Sequence, residues 1–331
     1  MAKVYKRESQ LITRLRAIAV FLIVTAHCNA MPNNATDCAR VVEGFVTSFA
    51  FLGVWIFFAL GGYLFAYEKR PAGEIIARKA ETLILPWLFT GTLVYLWTFL
   101  RHGGLSLSGL LHFVAGYGSY LWYMSVFLVL IVLFAFLRNK TYPLILPVVY
   151  GIVLSLPAAI HLIAGEDYNL YYYLAGAWSI AFTIGFAVNR YNMAITIYKA
   201  SIKHGLVFAL VFGVTFALLF ILRGRLYYWS IQYIPLCLLF TPTVLWLTTV
   251  LERKLGTIMD RVGGISFSIY LLHLPIAGAV SNLFGRFDRG YSVIIRPFIV
   301  LAICFAGISI MDKLLSSASK LAWARKLIGL R

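Results

Sequence analysis

Leu15-Arg16-Ala17-Ile18-Ala19-Val20-Phe21-Leu22-Ile23-Val24-Thr25-Ala26-His27 decides how this chain must be read. An arginine opens the run, ten uncharged residues follow, and a histidine stands where a lipid-facing helix would carry leucine. At about 100° per residue the two ionisable groups fall roughly 20° apart around a helix and about 16 Å apart along it. Two such groups on one stripe of a membrane helix are costly, so the protein must use them.

Working outward, long apolar runs recur along the 331 residues, which are 61% hydrophobic and 12% charged. Soluble domains carry roughly twice that charge fraction. The chain is therefore expected to be all-α, a polytopic helical bundle in a lipid bilayer. The net charge of +17 reads as excess Lys and Arg in cytoplasmic loops and not as a nucleic-acid footprint. Four cysteines without a CxxC pair argue against a metal cluster or a disulfide scaffold, and no metal is expected. Cys237 and Cys304 fall in apolar runs; Cys28 and Cys38 lie close enough to pair or to stay as thiols. The basic start followed by an apolar core resembles a signal peptide, but His27 within that core favours a retained first transmembrane helix.

About ten spans of sufficient length can be placed. They cover 15–32, 45–67, 82–100, 120–137, 142–164, 170–189, 204–222, 229–250, 262–283 and 291–312. An interfacial helix is expected at 105–116. With a cytoplasmic N-terminus this layout puts about 22 of the 29 Lys and Arg on the inner side and both termini inside. No loop exceeds about twenty residues, so residues 1–331 form a single transmembrane domain with no soluble catalytic part. Tyr171, Tyr172, Tyr173, Trp178, Tyr227, Tyr228 and Trp229 are expected as an outer aromatic belt.

Several motifs now line up. Arg16 and His27, with ten residues between them, resemble the arginine–ten–histidine signature of the membrane acyltransferase 3 family. Phe57-Phe58-Ala59-Leu60-Gly61-Gly62-Tyr63, Arg78-Lys79 with Leu85-Pro86-Trp87, Leu121-Trp122-Tyr123-Met124, and Ser268 to Pro275 around Tyr270 and His273 resemble further segments of that family, in its order. Gly61 stands where the family often has serine, and Glu81 where it commonly has a second cation.

The resemblance implies transfer of an acyl group, usually acetyl, from cytoplasmic acyl-CoA to a hydroxyl of a surface or lipid-linked carbohydrate. It makes acyl-CoA (acetyl-CoA) a co-substrate and implies no permanently bound cofactor. A bacterial cytoplasmic (inner) membrane is the expected location. The residues of the first span fit independently. Arg16 suits the phosphates of the donor, because a guanidinium offers forked hydrogen bonds. The alternative for Arg16, and the reading preferred for Arg14, is a snorkelling interface arginine. His27 suits general-base removal of the acceptor's proton, and an acyl-histidine relay or a plain interhelical hydrogen bond stays open.

Arg78 and Lys79 are further candidate donor ligands; Trp122, Tyr123, Gly61, Tyr270, His273 and Arg296 are candidates for the tunnel or acceptor site. Packing is the competing role for Trp122 and Tyr123, and a structural hydrogen bond for His273. Gly61-Gly62 allows close helix approach. Arg296 lies within a span and must face a partner or a wet cavity. Arg223, Arg225, Arg286 and Arg289 could receive an anionic acceptor, or meet lipid phosphates and Asp288 instead. His102 and His112 carry no evident role. The main rival function is a secondary transporter with His27 as a proton relay. An acyl-group feeder for a separate periplasmic transferase is a third reading, and nothing in the residues fixes the oligomeric state.

Overall fold

The computed structural model describes residues 2–137, 175–227, 233–285, 290–317 and 319–330. Helix α1 (Ala2–His27) carries the opening stretch and ends at His27 itself. Next come α2 (Asp37–Ala50) and α3 (Leu52–Phe65), which meet at Phe51, so the expected span at 45–67 is two abutting helices. The basic helix α4 (Ala72–Lys79) runs through a π turn (Ala80–Ile84) into α5 (Leu85–His102). The short α6 (Leu107–Ala115) occupies the place expected for an interfacial helix, with Ser106 Oγ accepting from Gly109 N at 2.9 Å to cap it.

After α7 (Trp122–Leu137) the described chain resumes at α8 (Ala175–Arg190), followed by α9 (Ala194–Lys203) and α10 (Gly205–Arg223). Three long helices close the bundle: α11 (Tyr233–Gly264), α12 (Ser266–Phe284) and α13 (Arg296–Ser317). A 3₁₀ segment, Ser319–Ile328, then folds back onto the bundle. The expected span 142–164, all of Tyr171, Tyr172 and Tyr173, and Tyr228 and Trp229 lie outside the described residues.

Among the described residues seven helices are long and apolar enough to cross a membrane, and α7 is a shorter apolar helix. Such lengths match about 30 Å of hydrocarbon. Helix α10 shows why lipid is the solvent: Leu210, Val214, Leu218 and Ile221 all point outward, exposed, along one stripe. In water that stripe would be an aggregation surface.

α1 is the inner helix of the bundle. α3 and α11 reach its backbone through glycines: a Cβ on Gly53 would lie 2.7 Å from Ala19 O, and one on Gly263 1.9 Å from Thr13 O. Arg14 ties α1 to α11 by donating to Asp260 through Nε (2.9 Å) and Nη2 (3.1 Å), and to Glu252 through Nη1. Arg14 is therefore an interhelical ion-pair residue and not a snorkelling one. Trp178 likewise leaves the expected aromatic belt. It is buried, stacked on Phe58 with centroids 5.2 Å apart.

Candidate functional site

α1 delivers His27 to one end of the bundle, and α12 brings His273 to meet it, ring centroids 5.0 Å apart. The local sequence explains the second histidine. Pro275 has no N–H, so the carbonyl four residues earlier, on Leu271, loses its helical donor. Tyr120 Oη donates to that carbonyl at 2.6 Å. Tyr270 Oη donates back to Tyr120 O at 2.8 Å, so residue 120 and α12 are laced in both directions. The Tyr120 ring in turn stands edge-on to both imidazoles, 6.3 Å from His27 and 5.4 Å from His273.

His273 is fully buried and its Nδ1 lies 2.6 Å from Tyr270 O. A carbonyl can only accept, so Nδ1 carries the proton and Nε2 presents a lone pair. Among the described residues Nε2 has no hydrogen-bond partner. The site thus holds one imidazole of fixed tautomer beside a second, half-buried one.

Arg296 fixes the end of α1. Its side chain is fully buried, the largest such side chain among the described residues. Nε donates to Ser292 Oγ at 2.8 Å, and Nη1 donates to Ala30 O at 2.5 Å and Cys28 O at 3.5 Å. A cation at the carbonyl end of a helix is favourable electrostatically, and here it holds the residues directly after His27. Arg296 therefore holds in place the segment that follows His27. Arg296→Met is expected to leave these carbonyls without their donor, lowering both the melting temperature and kcat for acyl transfer, the latter by roughly tenfold or more. Thermal melting and steady-state rates on the purified variant check this; an unchanged kcat contradicts it.

Three turns back along α1 from His27, Arg16 lines a cavity of about 360 Å³. Lys79 and Arg325 add two more cations, and Gly61, Tyr123 and Tyr270 shape its inner part. Two carboxylates share the wall. Glu68 is held by Arg70 at 2.5 Å, whose hydrogen bond keeps the carboxyl below its ordinary range, and Asp312 accepts from Arg325 Nε at 2.8 Å. Tyr123 and Tyr270, whose rings are 5.5 Å apart, both line this cavity. His273 lies one helical turn past Tyr270, ring centroids 6.0 Å apart. Arg16 and His27 thus lie on one face of α1, with Tyr270 between the cavity and the imidazoles.

The remaining candidates are placed as follows. Arg78 is exposed and does not line the cavity, whereas Lys79 does. Trp122 packs against Trp178 at 5.5 Å, away from the cavity, while its neighbour Tyr123 faces it. Arg225 pairs with the buried Glu43 at 3.2 Å and is thereby engaged within the protein. Arg286, Asp288 and Arg289 lie outside the described residues. Cys28, Cys38, Cys237 and Cys304 are all free thiols. Two members of the site escaped the sequence reading. Tyr120 could have been sought as the donor to the carbonyl that Pro275 frees; Arg325 sits in a short polar tail with no motif to mark it.

The described residues thus bring together an imidazole pair at the end of α1 and a cation-lined cavity three turns back along it. A family model for the acyltransferase domain of the acyltransferase 3 family matches residues 11–312. The chain belongs to that family, and its activity is acyl transfer. Transport is thereby set aside as the main function. No curated protein and no solved structure matches the chain significantly.

Proposed function

We propose that the protein takes an acyl group, acetyl in the simplest case, from acyl-CoA entering at the Arg16 end and delivers it to a carbohydrate hydroxyl at the His27 end. The Arg16 end faces the cytoplasm of a bacterial cell, where the excess of basic loop residues belongs, and the acceptor is a surface or lipid-linked glycan. The observation that carries this is the shared helix: the cation-lined cavity and the imidazole pair are joined by one face of α1.

Phosphates of the donor meet Arg16 and Lys79, both on the cavity wall. The pantetheine arm then passes Tyr123 and Tyr270 to bring its thioester to the imidazoles. His27 accepts the proton of the acceptor hydroxyl as that oxygen attacks the thioester carbonyl carbon. Once protonated, His27 carries N–H groups on both nitrogens, and His273 Nε2 is a ready acceptor for one of them. Collapse of the tetrahedral intermediate breaks the C–S bond, and the departing thiolate takes the proton back from His27. The ester stays on the sugar and CoA leaves by the cavity. A positioned base makes direct attack sufficient, so no acyl-histidine is required.

Arg16→Ala is expected to raise KM for acetyl-CoA by roughly tenfold, with a smaller change in kcat, as loss of a charged hydrogen bond to the donor requires. The test of the function itself is purified protein in liposomes, radiolabelled acetyl-CoA on one side and candidate glycans on the other. Label in the glycan supports direct transfer. Label released only when a second transferase is added would make the protein a feeder, and CoA that neither binds nor turns over would remove the donor assignment.

A further inference from the structure

We infer that the C-terminal stretch 319–330, the 3₁₀ segment with the two residues after it, is a working wall of the donor site, and that Arg325 on it binds a phosphate of the CoA donor. This rests on the donor reading above but adds a ligand lying beyond residue 312, where the family match ends.

Three observations carry it. First, Arg325, Gly329 and Leu330 line the same cavity as Arg16 and Lys79, so the tail contributes a third cation and part of the enclosure. Second, the tail is fastened on several sides. Lys326 donates to Glu81, and Thr90 Oγ1 donates to Leu327 O at 3.4 Å. Ile328 and Leu330 are buried, and Gly329, with φ of 76°, lies so close to α12 that a Cβ there would be 2.7 Å from the Phe267 ring. Third, Asp312 holds the Arg325 guanidinium through Nε at 2.8 Å. That contact fixes the orientation of a planar group whose fork geometry matches phosphate oxygens. Arg16 on α1, Lys79 on α4 and Arg325 on the tail thus approach one space from three elements.

The shared chemistry is phosphate, which a soluble CoA or an anionic lipid headgroup could supply; three cations converging on one cavity from three elements favour CoA. The test is calorimetric titration of CoA into the purified full-length chain in neutral detergent, for wild type, Arg325→Gln and Arg325→Lys, with acetyl-pantetheine turnover measured in parallel. Acetyl-pantetheine lacks the phosphates. CoA affinity is expected to fall about tenfold in R325Q and to be partly restored in R325K. The loss should be larger for CoA than for acetyl-pantetheine turnover, because only CoA carries the phosphates. Equal CoA affinity in wild type and R325Q would overturn the inference while leaving the donor reading intact. Equal loss of acetyl-pantetheine turnover would make Arg325 structural and overturn it as well. An affinity difference that appears only with added phosphatidylglycerol would assign Arg325 to lipid. A wild-type protein that does not bind CoA would instead defeat the donor reading itself.

Discussion

His27→Ala is expected to lower kcat for acyl transfer by roughly 10²–10⁴-fold, the range for removing a positioned general base. The fold should survive, because His27 is only half-buried and terminates α1, so alanine there opens no sealed core. CoA binding should also survive, because Arg16 and Lys79 lie three turns away along the helix or on α4. The expected signature is thus a collapsed rate with an unchanged CoA dissociation constant and melting temperature. His273 is not expected to substitute: its Nδ1 is committed to Tyr270 O, and full burial gives its ring little room to move. Wild-type rates in His27→Ala would remove His27 from the chemistry.

The largest structural effect is expected at Gly62. A Cβ there would stand 1.8 Å from Phe182 O, and the reciprocal Gly185 has Ala59 O at the same 1.8 Å. Both obstacles are backbone, so neither can rotate aside, and α3 and α8 would have to separate. The parting would cost the Phe58–Trp178 stack and the 2.9 Å bond from Asn189 Nδ2 to Tyr63 O. It would also move Gly61 and Phe127, which form part of the cavity wall. Gly62→Val is accordingly expected to cost more than about 4 kcal/mol and to prevent recovery of folded protein. Gly213→Val, with nothing within 4 Å of its Cβ, is the control that should fold. Size-exclusion profiles of the two variants decide the matter, and a monodisperse, active G62V protein would contradict the packing described here.

Much of this architecture could be read from residues alone, for reasons that differ by element. Apolar runs report membrane helices because lipid tolerates little else, and Arg16 and His27 drew attention because ionisable groups within such a run are costly. Gly61-Gly62 was legible as a close approach because small residues let membrane helices touch. Helix boundaries within apolar stretches were not legible: α2 and α3 are divided at Phe51, where neither glycine nor proline marks it. Partners of charged residues were equally hidden. Arg14 found Glu252 and Asp260, Arg225 found Glu43, and Arg296 found the carbonyls behind His27. Each pairing joins positions far apart in the chain, and no local pattern encodes it. The pairing of His27 with His273 belongs to the same class, since the two histidines are 246 residues apart.

The central claim is that one donor molecule reaches from the cations of the cavity to the imidazole pair. A cryo-electron microscopy structure with a non-transferable thioether analogue of acetyl-CoA tests it directly. The account predicts the analogue's phosphates beside Arg16, Lys79 and Arg325, its arm passing Tyr270, and its acyl carbon against His27. Phosphates bound elsewhere, or an acyl end that stops short of the histidines, would contradict it.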